Sequence, residues 1–195
     1  PEVSRAELGF DNKPLILSMG GSLGARAINE AVTDVVSKIW KDNTCNFLIA
    51  TGQYGLWVPD LMKEKGVDLE NAKNIEIREY INDMARCLSA ADLVICRAGA
   101  SSLSEFQALG KASILIPSPN VTENHQFHNA MALVNNNAAV IIEEKELNGE
   151  KLGAEMDRLL SDKALLKEIG DNARKMAVTD ATQRICEIVR GLLKK

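Results

Sequence analysis

Glycine and serine crowd together at Gly20-Gly21-Ser22-Leu23-Gly24, directly after an apolar run and directly before a stretch with helical periodicity. Glycines in such a turn permit positive φ and remove the Cβ atoms that would hold a ligand away from the backbone. The first N–H groups of the following helix point outward, carrying about half a unit of positive charge, so the turn can receive an anion. Ser22 adds a hydroxyl suited to a phosphate oxygen or to capping the helix itself, and a tight turn closed by a serine cap accounts for these residues equally well. The spacing is neither GxGxxG nor GxxxxGK[ST], which removes the main support for a dinucleotide fingerprint or a P-loop.

A second glycine turn, Arg97-Ala98-Gly99-Ala100-Ser101-Ser102-Leu103-Ser104-Glu105, again follows an apolar stretch and opens a helix. Two such mouths on one sheet edge could hold the two ends of one ligand. Ser101 or Ser102 would cap the helix, and Glu105, three residues after Ser102, has capping-box spacing. The alternative is that Glu105 accepts hydrogen bonds from a pair of sugar hydroxyls, as acidic groups at such edges do for ribose. Arg97 could pair with a carboxylate as readily as with a phosphate.

A third cluster spans Pro117 to Ala130. Two prolines end a strand, and Thr122 or Asn124 can start the next helix. Gln126 and Asn129, three apart, share a helical face. Their amides offer donors and acceptors together, which suits the alternating hydroxyls of a sugar. His125 and His128 have i, i+3 spacing but no clear third partner, so no metal site is expected.

The elements that must position these residues follow from periodicity. Strands are expected at Pro14 to Met19, Asn46 to Ala50, Asn74 to Arg78, Asp92 to Cys96, Ser113 to Ile116 and Ala138 to Ile142, and helices at Ala25 to Trp40, Val58 to Lys65, Asn82 to Ala90, Ser102 to Leu109 and Asn124 to Asn136. Near-continuous apolar strands alternating with helices imply right-handed crossovers and a parallel sheet covered on both faces. After Ile142 the pattern becomes charged and Leu-rich, with helices expected at Gly149 to Ser161, Lys163 to Met176 and Asp180 to Leu193; at the other end Ser4 is a plausible helix cap. The fold class is therefore α/β, a Rossmann-like doubly wound parallel sheet of about six strands with C-terminal helices, forming one domain over residues 1–195.

Composition narrows the function. Apolar residues make up 46% and charged residues 26% of the 195, the balance of an ordinary globular domain. A formal charge of −4 argues against a nucleic-acid partner, which needs clustered Lys and Arg. No apolar run is long enough to span a bilayer, and the first residues lack a secretory layout, so a cytosolic setting is expected. Cys45, Cys87, Cys96 and Cys186 form no CxxC pair and read as buried thiols.

Taken together, GGSLGARAIN (20–29), REYINDM (78–84), ADLVICRAGASSLSE (91–105) and ENHQFHNA (123–130) resemble the C-terminal, donor-binding domain of the MurG family. These are bacterial glycosyltransferases of the GT-B fold that add N-acetylglucosamine (GlcNAc) to the lipid-linked muramyl pentapeptide precursor of peptidoglycan. The resemblance runs from about Pro14 to the final helix. It implies UDP-GlcNAc as donor substrate, no cofactor and no obligatory metal. It places Ser22, with Gly21, Leu23 and Gly24, at the diphosphate, and the backbone of Ile81 at the uracil edge. The run Ala100, Ser101, Ser102, Leu103, Ser104 and Glu105 becomes the second turn, with Glu105 on the ribose hydroxyls. Gln126 falls at the GlcNAc hydroxyls, with Asn129 and His125 as neighbours, and Arg97 occupies a motif position whose role could be structural.

The resemblance also implies what this chain lacks: an N-terminal domain carrying the acceptor site, the general base and most of the surface facing the inner leaflet, where such enzymes sit as peripheral proteins. No catalytic residue is then expected in this chain. Two departures from the family pattern stand out. Gly110-Lys111-Ala112-Ser113 lacks the proline of the usual Gly-x-Pro, and Asn135-Asn136-Asn137 stands where a glycine commonly ends the helix. The alternatives are the donor domain of another GT-B enzyme, for a glycolipid or a chitobiose unit, or a noncatalytic nucleotide-sugar module.

Overall fold

The computed structural model describes residues 2–193; Pro1, Lys194 and Lys195, the ends of the expected domain, lie outside the described residues. Six parallel strands form one sheet: β1 (Leu15–Met19), β2 (Asn46–Ala50), β3 (Ile75–Arg78), β4 (Leu93–Cys96), β5 (Ala112–Leu115) and β6 (Val140–Ile141). Their order is β3-β2-β1-β4-β5-β6. The chain winds outward from β1 in one direction, then returns and winds from β4 in the other. The order therefore reverses between β1 and β4, and at such a switch point the loops beyond the carboxyl ends of the two strands part to leave a crevice. Ile16 pairs with Leu93 on one side, and Leu15 with Asn46 on the other.

Both faces of the sheet are covered, which is why β1, LILSM, is buried at all five positions. Ile16, Phe47, Ile49, Ile95 and Ile114 pack on one face against Ile28, Val32 and Val35 of α2 (Arg26–Ile39), Met62 of α3 (Val58–Glu64) and Leu152, Met156 and Leu159 of α7 (Gly149–Ser161). Leu17, Leu48, Val94 and Leu115 pack on the other against Leu88 of α4 (Met84–Ala90), Phe106 of α5 (Ala100–Leu109) and Leu133 of α6 (His125–Val134). The α2 stripe Ile28, Ala31, Val32, Val35, Val36 has the helical spacing that turns one face inward. α8 (Lys163–Lys175) closes the margin beside β5, with Ile169 and Ala173 buried.

Several expectations need correction. Ser4 lies inside α1 (Glu2–Glu7) and is not its cap. That helix is set by Arg5, 5% exposed, which reaches the Ala90 carbonyl at 3.2 Å and pairs with Asp92 at 3.1 Å. α5 begins at Ala100, two residues earlier than expected, because extended Gly99 serves as its N-cap. α6 starts at His125 after a 3-10 turn in which Glu123 and Asn124 both have positive φ. β6 shrinks to two residues; Asn137, at φ +52°, supplies the left-handed end of the preceding helix that a glycine would otherwise give. Every residue of α9 (Ala181–Leu193) is exposed, so Cys186 is an exposed thiol, while Cys45, Cys87 and Cys96 are buried. No described helix is long and apolar enough to cross a membrane.

Candidate functional site

The two glycine turns follow β1 and β4, so they meet across the switch point. Between them opens a cleft of about 460 Å³, lined by Gly20, Gly21 and Ser22 on one side and Gly99, Ser101, Ser102 and Glu105 on the other. Ile81 forms its floor and is 4% exposed. No hydrogen bond within the described residues engages the Ile81 backbone. A second cleft of about 470 Å³ shares Gly20, Gly21, Ser22, Arg97 and Gln126 with the first and continues past Leu23 and Gly24 to Ser118 and Asn120.

The first turn has the geometry its glycines allow. Gly21 and Gly24 sit at φ +88° and +86°. A Cβ on Gly20 would lie 2.3 Å from the Ala25 nitrogen, so a side chain there is excluded by the turn itself. At Gly21, which lines both clefts, a Cβ would meet nothing within 4 Å. The N-cap of α2 is Ala25, with no side-chain cap and no acidic residue in the first turn. Ser22 is therefore not the helix cap, and the N–H groups at this helix mouth have no carboxylate or hydroxyl of the described residues upon them.

The second turn likewise has no side-chain cap, since Gly99 occupies that position. Ser101 and Ser102 are the second and third helical residues, and the expected capping box with Glu105 does not form. Glu105 is exposed and lines the cleft. Leu103 packs in the core at 4% exposure, and the Ser104 hydroxyl donates to the Ala100 carbonyl at 3.0 Å. Ala100, Leu103 and Ser104 do not border the cleft.

Arg97 is committed to the protein. Its Nη1 donates to the carbonyls of Ile116 and Pro117, at 3.2 and 3.3 Å, and its guanidinium pairs with Glu144. Arg26, beside the second cleft, pairs with Glu30 at 2.7 Å and stacks 5.5 Å from the Trp57 ring centroid. With both nearby cations already matched, an anion at the glycine turn would be held chiefly by backbone N–H groups and hydroxyls.

The α6 amides act in two ways. Gln126 Oε1 accepts from Ala98 N at 3.3 Å and from Ser118 N at 3.0 Å. Two backbone donors fix which end of the carboxamide is oxygen, so its Nε2 is left as a donor where the clefts join. Asn129 Nδ2 donates to the Ala98 carbonyl at 3.1 Å, bracing the second turn, and Asn129 borders neither cleft. His125 Nδ1 donates to the Thr122 carbonyl at 3.0 Å, which ties it to its own turn. Among the described residues no group of three or more His, Cys, Asp or Glu could hold a metal ion.

The Ile81 segment is fixed by charge. Arg78 bridges Glu76 at 2.7 Å and Asp83 at 2.8 Å, closing the loop that carries Glu79, Tyr80 and Ile81. Burial opposes ionisation of Asp83, but a hydrogen bond from Cys87 and the charges of Arg78 and Arg86 bring its carboxyl below the usual range. Burial and the adjacent Asp83 push the Cys87 thiol up to about 11, so it stays protonated. Glu79 and Tyr80 also line the cleft, and Asn29, Thr51 and Gly52 lie behind the first turn, none of them expected there from the sequence. The available signals were a polar residue on the apolar stripe of α2 and a third glycine at a strand end.

The profile of the glycosyltransferase family 28 C-terminal domain matches residues 15–185. The chain belongs to that family. Curated relatives include the UDP-N-acetylglucosamine–N-acetylmuramyl-(pentapeptide) pyrophosphoryl-undecaprenol N-acetylglucosamine transferases of Acetivibrio thermocellus and Listeria monocytogenes. The first is 43% identical over 99% of this chain and 52% of its own length, the second 41% identical over 93% and 49%. Among solved structures, MurG of Acinetobacter baumannii superposes with a TM-score of 0.80 at 31% identity, covering 93% of this chain and 53% of that one. The S. aureus MnaA–UDP structure superposes at 0.73 with 13% identity, covering 98% and 48%, which is a likeness of fold alone. The family 28 chain thus spans about half the length of the curated relatives it matches.

Proposed function

We propose that this domain binds UDP-GlcNAc as the donor half of a MurG-type transferase, which passes GlcNAc to undecaprenyl-diphospho-muramyl-pentapeptide. The observation that carries the reading is the meeting of two uncapped glycine turns, after β1 and β4, at the one place where the strand order reverses. The family match and the names of the relatives support it.

In this reading the first cleft takes the uridine, with the Ile81 backbone against the uracil edge and Glu105 accepting from the ribose hydroxyls. The diphosphate lies over Gly21, Ser22, Leu23 and Gly24, and the sugar extends into the second cleft toward the Gln126 Nε2. As the acceptor hydroxyl attacks C1 of the sugar, negative charge gathers on the departing UDP. The preset N–H groups at the mouth of α2 meet that charge more strongly in the transition state than in the ground state. Arg97, Asn129, Leu103 and Ser104 hold the walls and do not touch the ligand.

The relatives are about twice as long, and we assign the acceptor site, the general base and contact with the cytoplasmic face of the membrane to the portion this chain does not cover. Calorimetry of the 195-residue chain with UDP-GlcNAc, UDP-glucose, UDP-galactose and GDP-mannose tests the reading. The expected result is binding of the uridine nucleotides, tightest for UDP-GlcNAc, with no glycosyl transfer to a lipid acceptor by this chain alone. Absence of heat with every uridine nucleotide, or turnover of the acceptor by this chain alone, overturns it.

A further inference from the structure

Behind the first glycine turn runs the segment Thr51 to Tyr54, which leaves the carboxyl end of β2. Its backbone is bonded on both sides. Thr51 N and Gly52 N donate to the carbonyls of Arg78 and Glu79, each at 2.9 Å, while Gln53 N and Tyr54 N donate to those of Ser22 and Leu23, each at 3.0 Å. The segment is thus a strap between the loop that carries Ile81 and the turn that carries Ser22.

Contact between strap and turn is closer than any side chain allows. Gly52 is at φ +74°, and a Cβ on it would lie 2.0 Å from the Gly24 nitrogen and 2.3 Å from its Cα. Reciprocally, a Cβ on Gly24 would lie 2.1 Å from the Thr51 carbonyl oxygen. Asn29 supplies the third hold. It is 1% exposed on the apolar stripe of α2, and its Nδ2 donates to the Thr51 carbonyl at 2.9 Å. Its Oδ1 is buried without a partner among the described residues. A half-satisfied amide on a core-facing stripe is a costly residue to keep for packing alone, and an aliphatic side chain would fill that place without the unpaired oxygen.

We propose that Gly52 and Asn29 are positioning residues for donor binding, setting the curvature of Gly20 to Gly24 from behind so that the N–H groups of Gly21, Ser22 and Leu23 converge on one anion, while the Gly24 N–H closes the turn onto the Gly21 carbonyl at 3.0 Å. This rests on the reading of that turn as the diphosphate site. Neither residue borders either cleft, so each acts only through the turn.

The test uses the whole chain, with UDP and uridine as paired probes followed by NMR titration. In Gly52→Ala the new methyl displaces Gly24, and UDP affinity falls on the order of tenfold, whereas uridine, which does not reach the turn, changes by less than about twofold. Asn29→Leu, which fills the same space without tying Thr51, gives the same pattern more weakly. Gly66→Ala is the control: Gly66 has φ +83° but open space around a Cβ, so it carries the left-handed strain without touching the site. It keeps wild-type affinity for both probes, with a loss of melting temperature no larger than that of Gly52→Ala. Unchanged UDP affinity in Gly52→Ala overturns the proposal, as does a parallel loss of UDP and uridine. If the wild-type chain takes up uridine and not UDP, the diphosphate reading of the turn falls, and the positioning role with it.

Discussion

Glu105 separates a structural role from a ligand role cleanly. A capping-box acid removed from a helix N-terminus costs about 0.5–2 kcal/mol. Here Gly99 is the N-cap, no side-chain cap bond exists, and Glu105 is exposed without an ion pair among the described residues. Glu105→Gln should therefore change stability by no more than about 0.5 kcal/mol, which in a chain of this size moves Tm by about 2 °C or less. A carboxylate accepting from two ribose hydroxyls contributes about 1.5–3 kcal/mol, so UDP affinity should fall roughly tenfold to a hundredfold. Calorimetry with UDP and differential scanning fluorimetry on the same preparations give both numbers. Unchanged affinity refutes the ribose role, and a fall in Tm beyond about 5 °C refutes the claim that Glu105 is no part of the helix cap.

Other residues give equally direct outcomes. Arg97→Met strips the partner from the largely buried Glu144 and should cost about 3 kcal/mol in urea denaturation, with Arg97→Met/Glu144→Gln recovering part of it; intact stability with lost UDP affinity would instead make Arg97 a ligand contact. Lys111, bonded to the carbonyls of Ser89 and Ala91, is drawn down to about 8 by burial, with Asp92 opposing and Arg5 adding to the effect. Between about pH 8 and 10.5 the unfolded chain then binds more protons than the folded one, so the urea midpoint of the wild type should gain on Lys111→Met from about pH 7.5 to 9.5; a constant or shrinking difference contradicts this. Maleimide should label one thiol, Cys186, in the native chain and all four after denaturation.

The architecture was legible because it rests on long-range regularities. Uninterrupted apolar strands report a sheet buried on both faces, and the α2 stripe reports the side it covers; β2 lies at the expected Asn46–Ala50 and α7 at the expected Gly149–Ser161. What failed was local end chemistry. Ser4, Ser22, Ser101 and Ser102 all have the right side chain for a cap, yet none caps a helix, because the backbone beside them is governed by Arg5–Asp92 pairing and by glycine turns. Cysteine spacing alone does not separate Cys186 from the three buried thiols; it lies on α9, where Ile185, Ile188, Val189 and Leu192 are exposed as well.

At the site, the turn residues were visible as glycine and serine clusters, whereas their supports were not. Gly52, Thr51 and Asn29 lie 22 to 28 residues from their partners and do not line the cleft, and only the sheet order brings them behind Gly24. The adjacency of β1 and β4 was equally hidden, since alternating strands and helices do not say which two strands flank the switch point. The helical face marks Gln126 as a sugar-facing amide; that its oxygen is spent on Ala98 and Ser118, leaving Nε2, follows only from the fold.

The most direct measurement is a crystal structure of this chain with UDP bound. The expected result is diphosphate oxygens within about 3.2 Å of backbone nitrogens between Gly21 and the first turn of α2, with the ribose hydroxyls on Glu105. Diphosphate bound elsewhere, or held by side-chain cations while those nitrogens remain unengaged, would contradict it.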